Sequence, residues 1–274
     1  MTDLTLWLML FFFIVILLTG APIGAALGLS SAIVIYTTMN VPLVVVAQRM
    51  FTSIDSFSFM AVPFFMLAGS FMSSGGVTKR LVDFANALVG ALAGGLALVV
   101  AVAGMFFAAL SGSSAATTAA IGVAMIDEME KRGYPKSFAA AVVATGGTVG
   151  IVIPPSVTMV VYGVIAGTSI GDLFMGGFAP GILMGGATCL VSWFIAKKKG
   201  YKGEGKASFA RIVRTFKDCI WALLMPVIIL GGIYGGIFTP TEASAVAAVY
   251  GAFIGLFVYR DLKWKDIPKV LLSA

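Results

Sequence analysis

The sequence predicts an all-α polytopic membrane protein that contains a re-entrant hairpin and a broken helix. Of its 274 residues, 59% are hydrophobic and only 11% are charged, a balance that a water-soluble chain of this length does not tolerate. The long apolar runs lack the alternation of a β-barrel, so helices must satisfy the backbone in the bilayer. The basic residues cluster beside the ends of these runs, as topology signals do, and form no nucleic-acid-binding face.

Eight apolar segments can form or contribute to membrane helices, since about 20 residues cross a bilayer. No basic residue precedes the first segment, which favours a retained span over a signal peptide. The first two segments could form one broken helix or a tight helical pair, and their combined length favours the pair. The segments are residues 4–19, 24–39, 57–72, 94–126, 138–167, 173–196, 220–237 and 243–259.

Four basic clusters predict the sidedness of the chain, because cytoplasmic loops carry an excess of Lys and Arg. Only one apolar segment, residues 94–126, separates the first cluster from the second, so a single crossing would place the second cluster outside. We therefore predict a hairpin that enters and leaves the membrane on the cytoplasmic side and turns within it at its polar stretch, residues 110–118. The same count of crossings predicts an external N-terminus. The clusters are Lys79 and Arg80; Lys131, Arg132 and Lys136; the basic residues of 197–217; and Arg260, Lys263, Lys265 and Lys269.

Two other segments depart from a simple span. Residues 78–93 place charged and apolar side chains at roughly helical spacing, which predicts an interfacial amphipathic helix or, alternatively, an ordinary cytoplasmic linker. Residues 144–156 combine three glycines with Pro154 and Pro155, and this predicts a discontinuous helix. Interrupted helices near the midplane are where secondary transporters bind substrates and ions.

A weak internal repeat links the two ends of the chain. Residues 20–26 align with residues 238–244, each a Pro-containing break between apolar helices, and the predicted sidedness places the two breaks on opposite faces. This is the relation expected of inverted repeats, although chance similarity is the alternative. If the repeat is real, its second copy begins near Ile220 and is incomplete at Ala274. The predicted regions are scaffold-type helices (1–77), the interfacial helix (78–93), the re-entrant hairpin (94–126), the broken helix and following span (138–196), a cytoplasmic loop (197–218) and the start of a second repeat (219–274).

Several chemistries are excluded by residue types. The chain has no histidine, so the serines of the hairpin lack the base that a serine hydrolase uses. Cys189 and Cys219 have neither a metal-binding nor a redox spacing. No Walker loop is present, so ATP hydrolysis by the chain is not expected and the energy for transport must come from a gradient or a partner. Together these exclusions predict that the chain is not an enzyme.

The hydroxyl groups of the hairpin are the candidate site. Ser111, Ser113 and Ser114 lie at the predicted turn, where backbone groups at membrane depth need partners. Their hydroxyls and unwound carbonyls could bind a hard cation, whereas Thr117 and Thr118 could equally serve close helix packing. Three further hydroxyls, those of Thr145, Thr148 and Ser156 on the broken helix, are expected to face the hairpin tip across the same site. Glu242 follows a helix break, where capping or solvent exposure is favoured over a coupling role.

Three motifs in order resemble the large membrane subunit of tripartite ATP-independent periplasmic (TRAP) transporters. They are ALSGSSAATTAAIG at 109–122, GGTVGIVIPPS at 146–156 and GIFTPTEASAVAAVY at 236–250. The resemblance covers essentially the whole chain, but large subunits of this family continue for roughly another half repeat with a second hairpin.

The resemblance implies an inverted-repeat, elevator-type transporter in a bacterial inner membrane that imports organic acids, such as dicarboxylates or sialic acids, with Na⁺ as coupling ion. It implies a small four-helix membrane subunit and a periplasmic solute-binding protein as partners, and no other cofactor. The Na⁺ site is expected at the tip and broken helix, with substrate beside it. The residues are Ser111, Gly112, Ser113, Ser114, Gly146, Thr148 and Pro154 for Na⁺, and Thr117, Thr145, Pro155 and Ser156 for substrate. A self-sufficient anion symporter and a non-transporting membrane scaffold remain as alternatives.

Overall fold

A computed structural model of the chain describes residues 3–39, 41–203 and 208–274, and the regular structure in these ranges is helical. Thirteen α-helices are formed there: α1 (Asp3–Leu18), α2 (Ile23–Met39), α3 (Leu43–Ile54), α4 (Ala61–Ser74), α5 (Val77–Val89), α6 (Gly95–Ser111), α7 (Ser114–Lys131), α8 (Lys136–Thr148), α9 (Val157–Ala166), α10 (Ile170–Lys198), α11 (Phe209–Tyr234), α12 (Pro240–Phe253) and α13 (Ile267–Ser273). Short 3-10 turns at Phe57–Met60, Val149–Ile151 and Trp264–Asp266 and a π-helical turn at Ile254–Val258 join or extend them.

The predicted all-α membrane-protein class is confirmed. Within the described ranges, four helices are long and apolar enough to cross a membrane: Phe57–Ser74, Ile170–Lys198, Phe209–Tyr234 and Pro240–Val258. Shorter apolar helices, among them α1, α2 and α6, have 15 to 17 residues. At 1.5 Å per residue, a 17-residue helix spans about 26 Å, slightly less than the hydrocarbon core.

The chain divides into two compact units, the first of which ends at Ser56. In this unit α1 and α2 form a packed pair, joined by a turn in which Gly20 adopts φ +82°. The pair was favoured by the sequence over one broken helix. The amphipathic α3 was not assigned from the sequence as a separate helix, because its apolar side chains alternate with Gln48, Arg49 and Thr52 and form no long hydrophobic run.

The second unit, from Phe57 onward, is organised around α4, which packs against α6, α9 and α12. Small residues allow close approach: a Cβ added to Gly251 of α12 would lie 3.3 Å from the Ala68 carbonyl oxygen of α4. The same device joins α6 to α8, where a Cβ on Gly104 would lie 3.2 Å from the Gly146 carbonyl oxygen. Such contacts are typical of helix packing in membranes.

Helices α6 and α7 form the hairpin that the sequence predicts, and both pack against α8. Helix α5 occupies most of the predicted amphipathic segment, with Leu81, Phe84 and Ala85 buried and Lys79 and Asp83 exposed. Its location at a membrane surface and the re-entrant path of the hairpin stay predictions.

The predicted loop over residues 197–218 is too long. Helix α10 extends to Lys198, and α11 already begins at Phe209. The first turns of α11 carry Arg211, Arg214 and Lys217 among apolar residues. This amphipathic extension precedes the apolar span and forms no continuous hydrophobic run.

Candidate functional site

The hairpin turns at Gly112 and Ser113, inside the polar stretch where the sequence predicts the turn. Helix α6 ends with Gly112 in the left-handed conformation, at φ +60° and ψ 14°, which glycine adopts without the steric cost of a Cβ. Ser113 is extended and caps α7, because its Oγ accepts a hydrogen bond from the Ala116 amide at 3.4 Å. The two residues therefore end one helix and start the next with no intervening loop.

A buried hydroxyl network braces this tip. The Thr117 hydroxyl donates to the Ser113 carbonyl at 2.8 Å, and its oxygen lies 2.8 Å from the Ser111 Oγ, from which it can accept. Ser111 and Thr117 are 2% and 0% exposed, respectively. Buried hydroxyl groups are costly unless they are paired, so this network fixes the turn. The sequence left packing and binding as equal alternatives for Thr117, and these contacts show a structural role.

The predicted broken helix is interrupted between α8 and α9. After the 3-10 turn Val149–Ile151, residues 152–156 are irregular and include a cis bond between Pro154 and Pro155. Ser156 then caps α9: its Oγ accepts from the Met159 amide at 3.4 Å and donates to the Ile151 carbonyl at 2.8 Å. The helix restarts at a fully buried serine.

The tip and the break meet directly. The Val157 amide, in the first turn of α9, donates to the Gly112 carbonyl of the tip at 3.1 Å. A Cβ on Gly112 would lie only 2.7 Å from the Pro155 carbonyl oxygen, so glycine is required for space as well as for φ. The N-termini of α7 and α9 consequently lie side by side, and we call this region, residues 111–117 with 150–157, the tip junction.

Glycine also brings the 3-10 turn against the tip. A Cβ on Gly150 would lie 2.8 Å from the Ser113 carbonyl oxygen and 2.9 Å from the Thr117 Oγ1. Gly147 is equally confined, because its Cβ would overlap the Thr118 side chain. The polar turn of one hairpin can therefore contact the backbone of the broken helix without intervening side chains.

Not all predicted site residues belong to the tip junction. Thr145 and Thr148 are exposed on another face of α8, and their hydroxyls donate to the Ala141 and Thr145 carbonyls of their own helix at 2.8 and 2.7 Å. Gly146 is buried against α6. Thus Ser111, Gly112, Ser113, Ser114, Thr117, Pro154, Pro155 and Ser156 come together, whereas Gly146, Thr145 and Thr148 do not join them. Ion or substrate binding by these residues stays a prediction.

A cavity of about 340 Å³ opens beside the tip. Ser111 and Ser113 line it together with three α4 residues that the sequence did not indicate, Gly69, Ser70 and Ser73. The hydroxyl groups of Ser70 and Ser73 within an apolar helix were the available signal. A Cβ on Gly69 would approach the Ser111 Cα to 3.2 Å, so α4 reaches the tip through its glycine.

The oxygen atoms of the tip junction are the groups that could hold a cation. No cluster of three or more His, Cys, Asp or Glu side chains occurs within the described residues. Among the described residues, the Ser113 hydroxyl donates no hydrogen bond to any group, and the Pro155 carbonyl accepts none. Hydroxyl and carbonyl oxygens are suitable ligands for hard cations. These two unused groups therefore fit a cation better than the fully engaged Ser156 hydroxyl does.

Glu242 has the capping role that the sequence favoured. Its carboxylate accepts from the Thr239 amide and hydroxyl, both at 2.8 Å, and the Thr239 Oγ1 accepts from the Glu242 amide at 3.3 Å. This reciprocal capping box starts α12.

Comparison with known proteins gives a consistent family. The family described as "Tripartite ATP-independent periplasmic transporter, DctM component" matches residues 10–274. The chain is 45% identical over 95% of its length to the C4-dicarboxylate TRAP transporter large permease protein DctM of Rhodobacter capsulatus, covering 62% of that protein. It is 51% identical over 96% of its length to the isethionate TRAP transporter permease protein DctMQ of Oleidesulfovibrio alaskensis, covering 42%.

A more distant relative is the sialic acid TRAP transporter permease protein SiaT of Haemophilus influenzae, which is 36% identical over 98% of the chain and of which 44% is covered. The chain thus spans roughly half the length of these relatives. With the family matched over nearly all of its residues, the chain belongs to the DctM family of TRAP transporter large permeases.

Proposed function

We propose that the chain is the permease part of a Na⁺-coupled secondary importer of organic acids in a bacterial inner membrane, with its N-terminus on the periplasmic side. The observation that carries the proposal is the tip junction. It places two helix N-termini side by side at a buried polar turn, next to a cavity that Ser113 lines. Helix breaks of this kind serve ion and substrate binding in secondary transporters.

The Na⁺ ligands that we propose are a subset of those predicted from sequence. The Ser113 hydroxyl and the Pro155 carbonyl are unused in the described part of the chain, and the Ser111 hydroxyl borders the same cavity. Gly146 and Thr148 lie away from this junction, so they are not expected to contact the ion. Na⁺ bound here would join the hairpin to the broken helix.

An organic acid is the substrate class that we propose. The N-termini of α7 and α9 carry partial positive charge, which favours a carboxylate or sulfonate group beside them. The relatives are named for C4-dicarboxylate, isethionate and sialic acid. Thr117 and Ser156 are fully buried and hydrogen-bonded, so we assign them to support of the site and leave direct contact to exposed groups around the cavity.

The partners that we propose follow from family membership. A periplasmic solute-binding protein would deliver the acid, and a small four-helix membrane subunit would brace the permease. The alternatives differ in a testable way, because a self-sufficient symporter needs no binding protein and a scaffold moves no substrate.

The direct test is a chimera in which this chain replaces the matching segment of the isethionate relative, to which it is 51% identical. We expect isethionate uptake in proteoliposomes that requires a Na⁺ gradient and the relative's binding protein. Uptake that persists in K⁺ buffer contradicts Na⁺ coupling, and uptake without the binding protein favours the self-sufficient symporter. Absence of uptake by a chimera that inserts and folds like its parent favours the scaffold.

A further inference from the structure

A large charged cavity lies away from the tip junction. It has a volume of about 720 Å³ and is formed by α5, the first turns of α11 and the segment that follows α12. Its lining is polar in character, unlike the small-residue surfaces elsewhere in the second unit. The charged residues that line it are Lys79, Arg80, Asp83, Arg211, Arg214, Lys217, Asp218 and Asp261.

Arg80 organises one wall of this cavity. Its Nη1 donates to the Asp261 carboxylate at 2.5 Å and to the Gly76 carbonyl at 2.9 Å, and its guanidinium lies 3.9 Å from the centre of the Tyr259 ring. The Tyr259 hydroxyl in turn accepts from the Ala222 amide of α11 at 3.3 Å. Burial raises the pKa of Tyr259 to about 12, so its phenol stays neutral and adds no negative charge to the wall.

The remaining cations of the cavity are not neutralised. Among the described residues, Lys79, Arg211, Arg214 and Lys217 form no ion pair within 4.0 Å. Asp83 and Asp218 are the only other carboxylates in the described lining, so an excess of two positive charges remains after the Arg80 pair is set aside. Arg211, Arg214 and Lys217 recur every three residues of α11, which places them along one side of the helix.

The cavity borders the apolar part of the molecule. The candidate span Pro240–Val258 ends at Val258, which lines the cavity, and α11 becomes continuously apolar from Ile220 onward. Trp221 is 45% exposed beside the charges, and Phe209 is 81% exposed at the start of α11. Aromatic side chains next to Lys and Arg at the end of a span are typical of the lipid headgroup region.

We propose that this cavity binds the phosphate headgroup of an anionic phospholipid. Arg211, Arg214 and Lys79 approach the phosphate from two helices, with Arg side chains able to donate two parallel hydrogen bonds to its oxygens. Trp221, which lines the cavity at the start of the apolar part of α11, offers apolar surface to the acyl chains, which a free phosphate would not use. The bound lipid would link α5 to α11, and this role is independent of ion coupling at the tip junction.

The test measures lipid binding to the intact chain in neutral detergent by native mass spectrometry, with phosphatidylglycerol, phosphatidylcholine and inorganic phosphate as probes. We expect preferential retention of phosphatidylglycerol. Neutralising two exposed cations in Arg211→Gln/Arg214→Gln should weaken its binding about 30-fold, given roughly a tenfold change for each 1.4 kcal/mol and about 1 kcal/mol for each basic residue.

The matched control is Lys198→Gln/Lys265→Gln, which removes two exposed charges outside the cavity. It should bind phosphatidylglycerol like the wild type. Equal binding by the wild type and the Arg double variant overturns the proposal, and so does equal loss in the control, which would indicate net charge alone. Competition by inorganic phosphate as effective as phosphatidylglycerol overturns the assignment to lipid.

Discussion

Ser113 and Ser156 start neighbouring helices in almost the same way, yet their hydroxyls are used differently. The backbone angles φ and ψ are −136° and 126° for Ser113 and −126° and 126° for Ser156. Each serine caps a helix by accepting a 3.4 Å hydrogen bond from a backbone amide. Ser156 is fully buried and also donates to the Ile151 carbonyl. Ser113 is half-buried, lines a cavity and donates to no group in the described chain.

The comparison separates structural support from binding capacity. A capping serine that also donates its hydroxyl proton to a carbonyl stabilises the local backbone. A capping serine that donates to no group and faces a cavity can bind a ligand without losing an internal hydrogen bond. We therefore expect substitutions at the two serines to differ in kind. The stability of the junction should depend most on the close backbone contacts that bring both caps together.

The largest effect is expected for Gly150→Ala. The new Cβ would lie 2.8 Å from the Ser113 carbonyl oxygen, so the tip must shift, and overpacking of this kind costs about 1–3 kcal/mol. The control is Gly186→Ala in α10, where nothing lies within 4 Å of the added Cβ. Thermal unfolding in detergent should show a lower midpoint only for Gly150→Ala. Equal midpoints would mean that the tip and the 3-10 turn are not packed as described.

Ser156→Ala should be the next most destabilising change. It removes a helix cap and leaves the Ile151 carbonyl without the hydrogen bond that the buried Ser156 hydroxyl donates, a loss of about 1–3 kcal/mol. Ser169→Ala is the matched control, because the exposed Ser169 caps α10 through the Asp172 amide but its hydroxyl donates to no carbonyl in the described part of the chain. Unfolding midpoints that fall equally in both variants would show that the Ile151 bond contributes nothing.

Ser113→Ala should cost about 1 kcal/mol of stability through its cap, but it should weaken Na⁺ binding more than Ser156→Ala does. The reason is that only Ser113 has an unused hydroxyl at the cavity. Na⁺-dependent protection of a Ser114→Cys variant from thiol reagents, in a background with Cys189 and Cys219 replaced by Ala, measures this difference. The same Na⁺ affinity in both serine variants would remove the distinction between them.

The smallest effect is expected for Thr145→Val and Thr148→Val. Both hydroxyls are exposed and bonded to carbonyls of their own helix, so each change should alter stability by less than about 0.5 kcal/mol. Neither should change Na⁺ protection of the tip. A clear loss of Na⁺ protection in Thr148→Val would restore this residue to the ion site that the sequence predicted.

Much of the local structure was predictable from sequence. The turn at Gly112 and Ser113, the break before Ser156 and the capping role of Glu242 follow from polar or Pro-rich interruptions of apolar runs. The sequence-based prediction placed Thr145 and Thr148 at the tip, although residues three apart share a helix face and Gly147 and Gly150 lie on another. The sequence did not predict the hydrogen bond from the Val157 amide to the Gly112 carbonyl, because it joins residues far apart in the chain. Nor did it predict that Gly69, Ser70 and Ser73 of α4 line the cavity beside the tip.

Helix boundaries at the charged surfaces were predicted least well. Helix α3 and the first turns of α11 carry basic residues among apolar ones, so neither forms the hydrophobic run that marks a span. The same mixture placed Arg211 and Arg214 among the topology signals, although packing against α5 gathers them around a cavity.

The most direct measurement is the thermal unfolding midpoint of the chain in detergent as NaCl replaces KCl at constant ionic strength. A ligand that binds only the folded state raises the midpoint with its concentration. If the tip junction binds Na⁺ through Ser113, the midpoint rises with Na⁺ in the wild type and in Ser169→Ala, and rises much less in Ser113→Ala. The same rise in all three proteins, or no rise in the wild type, would contradict a Na⁺ site at the tip.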